Sequence, residues 1–336
     1  MAAFDPEAKE RELLAEANSW DVSNPADAAP GDIPVVDVGP YFATGERADL
    51  DVAAAALRQA CERVGFFQLV GHQIDPALIA DTFAWSKRFH DLDVDVKQTI
   101  NLDNPDWPIP AVGYLPVGER RLPRRAKGNI NEAFLIKSDR GVDYGDNQWL
   151  PDSELPGFRA AIETYGRAVS SLALRLLPVY AVALDLASDF FDPGFEHPFW
   201  RLRFTHYPPF EPAEDDEFGI APHVDTTFFT ILLQDSPGLT IHSAERGEWI
   251  KVPMLENAFV VNSGELLKQW SNDRFLSVRH FANNAASGES RYSIPLFFNA
   301  TADYPMECLP SCHDEQNPPK YPTISYSQSQ AVVQGE

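Results

Sequence analysis

The sequence predicts a mainly β fold with α-helical elaboration: a jelly roll or sandwich of short strands in the C-terminal half, braced by the helices that precede it. Three observations carry this. Beyond Trp200 the chain breaks into short β-rich runs separated by turn residues. Before it, apolar residues recur with helical period. The 336 residues are 44% hydrophobic and 23% charged, which is enough for a large core.

Met1 to Trp20 is charged and helix-prone, with Glu7, Lys9, Glu10, Arg11 and Glu12 where a signal peptide needs an apolar run. Asp21 to Asp32 is rich in Pro, Ala, Asn and Asp, so residues 1–32 read as a flexible N-terminal extension. The folded body starts at the apolar run Ile33 to Val38. Ala53, Leu57, Ala60 and Val64 fall at helical spacing, and Gly65 ends that pattern before the strand-like Phe66 to Val70. Pro76 opens a second helix that runs through Phe89.

The strongest helical pattern is Phe158, Ile162, Tyr165, Val169, Leu172 and Leu176, in steps of 4, 3, 4, 3 and 4. It should lie flat against a sheet, and Pro178 should kink or end it. Strands are expected at 200–207, 228–234, 238–242, 249–252, 258–262 and 290–299. The chain therefore divides into a helical N-terminal region with a lid segment (33–199), a β core (200–300) and a C-terminal extension (301–336). Ser325 to Glu336 is polar enough to be loose.

A formal net charge of -23 makes nucleic acid and anionic membrane surfaces poor partners. No run approaches the roughly 18 apolar residues of a membrane span. Cys61, Cys308 and Cys312 have no zinc-site spacing and read as free thiols, so a cytoplasmic location is expected. The expected partner is a small-molecule substrate; nothing in the sequence sets an oligomeric state.

In His223-Val224-Asp225 two ligand-type side chains stand two apart, so on an extended backbone both face one side of a sheet. Alone the tripeptide is weak. Downstream come a third ligand type, His280, and then Arg291-Tyr292-Ser293, whose Arg291 and Ser293 also share a strand face. Two imidazoles and one carboxylate leave coordination positions open on iron(II), whereas a structural zinc site is closed by four ligands.

With Ile33-Pro34-Val35-Val36-Asp37, Gly65-Phe66-Phe67 leading to Gly71-His72, Gly113-Tyr114, Tyr207-Pro208-Pro209, Gly238-Leu239 and Val261-Asn262-Ser263-Gly264, these residues form an ordered set from about Ile33 to about Ala300. In this the chain resembles the iron(II)/2-oxoglutarate dioxygenase superfamily, in its isopenicillin N synthase-like branch. The resemblance implies a double-stranded β-helix with the metal near its mouth, and the cofactors iron(II), 2-oxoglutarate and O2. It implies His223, Asp225 and His280 as metal ligands, Arg291 and Ser293 as holders of the distal carboxylate of 2-oxoglutarate, and Tyr207 against the bound acid. A guanidinium suits that role because it stays charged and grips a carboxylate with two parallel hydrogen bonds. Tyr207 reads equally as a structural aromatic, and Thr205-His206-Tyr207-Pro208 departs from the Asn-Tyr-Tyr-Pro of many relatives.

Phe297 and Asn299 share the strand face of Ser293, and Tyr114 and Phe134 sit where relatives supply substrate contacts; these four are the candidate substrate residues, with core packing the alternative for Phe297. The basic cluster Arg120, Arg121, Arg124, Arg125 and Lys127 either steers an anionic substrate or is a solvated loop. Asn262 and Glu265 are expected to brace the barrel. The activity implied is oxidation of a small organic metabolite by hydroxylation, desaturation or ring closure. Two other readings stay open: an oxidase of the same branch that uses no 2-oxoglutarate, and a non-enzymatic jelly roll that binds metal or a small acid.

Overall fold

A computed structural model of the chain describes residues 22, 24–105, 107, 111–119, 127–138, 147–210, 217–284 and 288–334. The charged stretch Met1 to Trp20 and the arginines at 120, 121, 124 and 125 lie outside them. Of the basic cluster Lys127 is described, and it pairs with Glu217 at 3.5 Å.

Two sheets form the β core. The larger contains β2 (Val35–Asp37), β3 (Phe66–Val70), β4 (Gly113–Leu115), β5 (Glu132–Ser138), β6 (Phe199–Tyr207), β8 (Phe229–Gln234), β11 (Phe259–Ser263) and β13 (Arg291–Asn299), in the order β2-β3-β11-β8-β13-β6-β5-β4. The smaller contains β1 (Ala26–Asp27), β7 (Ile220–His223), β9 (Leu239–Ser243), β10 (Glu248–Lys251) and β12 (His280–Ala282), in the order β1-β10-β9-β12-β7. Pairing is antiparallel except for β2 with β3 and β1 with β10. This is the expected jelly roll, with helices on one side.

Alternation gives the larger sheet two faces. One face, with Leu202, Phe204, Ile231, Leu296 and Phe298, packs under the helices in the main core. The other looks toward the smaller sheet, and Phe66 and Val260 close one end of the barrel against Leu239, Ile241 and Ile250. The helices are α1 (Gly39–Thr44), α2 (Arg47–Arg63), α3 (Pro76–His90), α4 (Val94–Gln98), α5 (Phe158–Ala183), α6 (Glu265–Trp270) and α7 (Tyr326–Gln334). Gly65 lets the chain leave α2 for β3: its φ is +73°, and a Cβ there would sit 2.8 Å from Val278 Cγ2 and 2.9 Å from the Leu276 carbonyl.

Some expectations change. Of the kink or end expected at Pro178, the end does not occur: the helix continues to Ala183. Leu174, whose carbonyl loses its partner, is 41% exposed, and the turn beyond the proline is fixed by buried Val179, Tyr180, Ala181 and Ala183. The same helix packs on the sheet as expected, with Tyr165 edge-on to Phe204 and Tyr180 stacked on Phe229 at 4.9 Å, and it is flanked by α2 and α3. The tail is not loose: Tyr326 in α7 is buried and stacks on Phe199 at 4.6 Å, and Ser327 N–H donates to the Ala302 carbonyl at 2.9 Å. Within the linker-like segment, Ala26 and Asp27 pair in parallel with Ile250 and Lys251.

Candidate active site

His223 ends β7 and His280 begins β12, and the two are directly paired across the smaller sheet. Their rings lie 4.3 Å apart, centroid to centroid. Asp225 follows β7 and comes beneath them, with Oδ1 3.5 Å from His223 Nε2 and 3.7 Å from His280 Nε2. One ligand atom from each residue lies within 4.8 Å of the others, and no other such cluster occurs among the described residues.

Each group is committed on its far side. His223 Nδ1 donates to the Ala221 carbonyl at 2.8 Å and His280 Nδ1 to the Val278 carbonyl at 3.1 Å, which leaves both Nε2 lone pairs directed inward. Asp225 Oδ2 accepts from Thr230 Oγ1 at 2.7 Å and Asn262 Nδ2 at 2.9 Å, leaving Oδ1 for the inner side. Burial, then the neighbouring His223, push His280 down to about 4, so its imidazole is neutral near pH 7. Burial works to raise Asp225, but His280, His223 and the Asn262 hydrogen bond outweigh it and hold the carboxyl below its usual range. A neutral His280 beside an ionised Asp225 suits a divalent cation, which needs its ligands deprotonated.

The residues that the resemblance implies for the acid, Arg291, Ser293 and Tyr207, are also brought together. Arg291 pairs with Tyr207 across β13 and β6, and its guanidinium lies 4.6 Å over the Tyr207 ring. Tyr207 Oη and Ser293 Oγ are 3.3 Å apart. Arg291 Nη2 donates to Gln234 Oε1 at 2.9 Å and Nε to the Ser236 carbonyl at 3.2 Å, while the buried Nη1 has no hydrogen-bond partner among the described residues. Thr205 Oγ1, on the strand position opposite Ser293, is likewise buried and unpartnered. These idle donors fit an incoming carboxylate. Of the two residues at which the Thr-His-Tyr-Pro run departs, Thr205 lies on this inner face and His206 points to the other, within 2.8 Å of Glu132 and 2.9 Å of Ser290.

The four substrate candidates separate. Phe297 is partly exposed on the inner face, paired with Thr230. Asn299 accepts from Phe228 N–H at 3.0 Å, and its Nδ2 is buried without a partner. Tyr114 and Phe134 are corrected. They pair with each other, and Phe134 pairs with Phe204, so both face the helices and not the metal ligands. Phe134 packs on Phe89, Trp149 and Phe158, and Tyr114 Oη donates to Glu132 at 2.6 Å. Thr230 and Gln234, which orient Asp225 and Arg291, escaped the sequence because only strand register shows them. Asn262, expected to brace the barrel, instead donates to Asp225 within the site, and Glu265 touches the same residue through its backbone, its N–H donating to the Asp225 carbonyl at 2.8 Å.

Comparison with known proteins agrees with this geometry. Residues 199–300 match the model of the 2OG-Fe(II) oxygenase superfamily, and residues 33–152 that of the non-haem dioxygenase in morphine synthesis N-terminal region. The chain is 34% identical over 314 residues to the 2-oxoglutarate-Fe(II) type oxidoreductase hxnY of Emericella nidulans, covering 88% of each chain. It is 33% identical over 297 residues to azadirone synthase LFS of Melia azedarach, covering 83% of this chain and 87% of that one. Among solved structures, a full-length Neurospora crassa protein in complex with alpha-KG and thymine superposes with a TM-score of 0.80 at 24% identity, over 92% of this chain and 98% of that one. JOX2 in complex with 2OG, Fe, and JA gives a TM-score of 0.74 at 25% identity, over 96% of this chain and 92% of that one.

Proposed function

The chain belongs to the 2OG-Fe(II) oxygenase superfamily, and from that premise we propose that His223, Asp225 and His280 hold the iron of an enzyme that oxidises a small organic molecule, with Arg291, Ser293 and Tyr207 receiving 2-oxoglutarate. It is an iron(II)- and 2-oxoglutarate-dependent dioxygenase. The observation that carries the site assignment is the set of three ligand atoms within 4.8 Å, each braced from behind and directed to one point.

Bound iron(II), with 2-oxoglutarate and O2, supplies an oxidant able to break a substrate C–H bond, giving succinate and CO2. The chain's own residues orient and exclude. Burial keeps His280 neutral and its neighbours keep Asp225 ionised, so with His223 they would hold the iron through three ligand atoms and leave it positions for the cosubstrate and O2. Arg291 Nη1 and the Ser293 and Tyr207 hydroxyls would hold the far carboxylate of the cosubstrate and so orient it. Phe297 presents an inner apolar surface beside Thr230, where a substrate would rest against the metal side of the cavity. A cytosolic location accords with Cys61, Cys308 and Cys312, all free.

Iron-loaded protein supplied with 2-oxoglutarate should release succinate in stoichiometry with substrate oxidised, and Asp225→Ala should abolish both. Retained turnover in Asp225→Ala would refute the ligand assignment. Product formation without 2-oxoglutarate would instead favour the oxidase reading.

A further inference from the structure

The inward-facing positions of β5, β6, β8 and β13 hold four cations and no acidic residue, in a chain whose net charge is -23. Arg291 is accounted for by the cosubstrate. Lys137, Arg201 and Arg203 are not. Arg201 and Lys137 are directly paired across β6 and β5, and Arg201 is paired on its other side with Phe297 of β13. The same row continues through Thr230 of β8 to Asn262 of β11, and both of these donate to Asp225. One row of the barrel wall thus runs from the residues that brace the metal ligand, past an apolar ring, to a pair of cations. Neighbouring strands are about 4.8 Å apart, so the Arg201 and Thr230 backbones are separated by roughly 10 Å, the span of a small metabolite.

Arg203 and Lys137 are buried and engaged within the protein, Arg203 with the amide of Asn131, which is itself tied to the Gly219 carbonyl at 2.5 Å. Arg201 is partly buried, with its guanidinium 5.6 Å over the Phe199 ring and its buried Nε unpartnered among the described residues. A guanidinium held in place beside an aromatic ring, with a donor unused, is arranged to receive a carboxylate.

Resting on the site assignment above, we propose that the primary substrate is a carboxylic acid whose anionic group docks on Arg201, while its apolar body lies over Phe297 toward the triad. Arg201 is then a specificity-determining residue, distinct from the anchor at Arg291.

The test uses 3-phenylpropionate and cyclohexylacetate with their neutral amides, titrated up to millimolar concentration into full-length protein loaded with Mn(II) and 2-oxoglutarate. Wild type should bind each acid roughly tenfold or more tightly than its amide. Arg201→Gln should erase that preference, Arg201→Lys should restore part of it, and both should still bind 2-oxoglutarate. Acids that bind no better than amides, or do not bind at all, would overturn the proposal. So would a preference untouched in Arg201→Gln but lost in Arg291→Gln, which would put the acids at the cosubstrate anchor. Failure of Mn(II)-loaded wild type to bind 2-oxoglutarate would strike the earlier assignment instead; an acid preference that depended on Arg201 would still stand there, and its absence would still count against it.

Discussion

At the scale of single residues, Asp225 shows how a side chain is set up as a candidate ligand. Its two oxygens are given different tasks: Oδ2 is spent on Thr230 and Asn262, and Oδ1 faces the two imidazoles. Removing one brace frees the carboxylate to rotate, and partners of this kind are worth about 10- to 100-fold in metal affinity. Thr230→Val keeps the shape and deletes the donor, so Mn(II) affinity measured by titration should fall by about that factor while the fold, followed by circular dichroism, persists. Unchanged affinity would mean that Asn262 alone fixes the carboxylate. The cluster of candidate ligands was legible in the sequence, because a spacing of two on an extended chain fixes a shared face, and the order of His280 and Arg291-Tyr292-Ser293 narrows the chemistry. Thr230, Gln234 and Arg201 were not legible. Their meaning comes from the strand opposite, and one sequence does not reveal register. The same blindness put Tyr114 and Phe134 in the substrate pocket, when the pairing of β5 with β6 turns both toward the helices.

At the scale of elements, β5 carries a buried polar cluster on its helix-facing side. Glu132 accepts from Tyr114 at 2.6 Å and Lys97 at 2.9 Å, and His206 lies 2.8 Å away. His90, at the end of α3, is pushed down to about 3 from 6.5, chiefly by burial. The unfolded chain takes up a proton there that the folded chain refuses, so this contribution is complete above pH 6.5 and is lost as pH falls toward 3. Glu132 acts in the same direction: burial opposes its ionisation, but His206, His90, Tyr114 and Lys97 outweigh it and lower it to about 2 from 4.5, so stability present above 4.5 is lost on the way to 2. Urea midpoints should therefore fall with acid, and His90→Phe should reduce the slope just below pH 6.5 by up to about 1.4 kcal/mol per pH unit. An unaltered slope would mean that His90 titrates normally. The long helices and strands were readable because their apolar periods are sustained. β7 and β12 are too short for a period to show, and α7, polar by composition, owes its order to docking rather than propensity. Tyr326→Ala removes the buried ring that stacks on Phe199, a loss on the order of 3 kcal/mol, so the amides of Ser327 to Gln330 should exchange at close to unprotected rates while metal affinity is kept. Retained protection would assign the docking of α7 to its other contacts.

At the scale of the whole molecule, a helix-backed sheet and a smaller sheet enclose a cationic wall inside a strongly acidic chain. The jelly roll was predictable from the rhythm of short strands, but the contrast between interior and total charge was not, since it depends on which alternate residues face inward. That contrast governs how 2-oxoglutarate, a dianion, approaches. At a distance it meets a net charge of -23, and only near the cavity does it meet Arg291 and its neighbours. Salt screens these two unequally. The Debye length shrinks from about 30 Å at 0.01 M to about 8 Å at 0.15 M, which removes the long-range repulsion, whereas the attraction to the buried guanidinium of Arg291 acts at contact and is screened much less. The kcat/KM for 2-oxoglutarate should therefore rise severalfold as sodium chloride is raised across that range, with kcat nearly constant. Electrostatic steering by an attractive funnel would give the opposite slope. A steep fall with salt would show that the acidic surface is arranged away from the mouth and that the cationic wall projects its field into solvent.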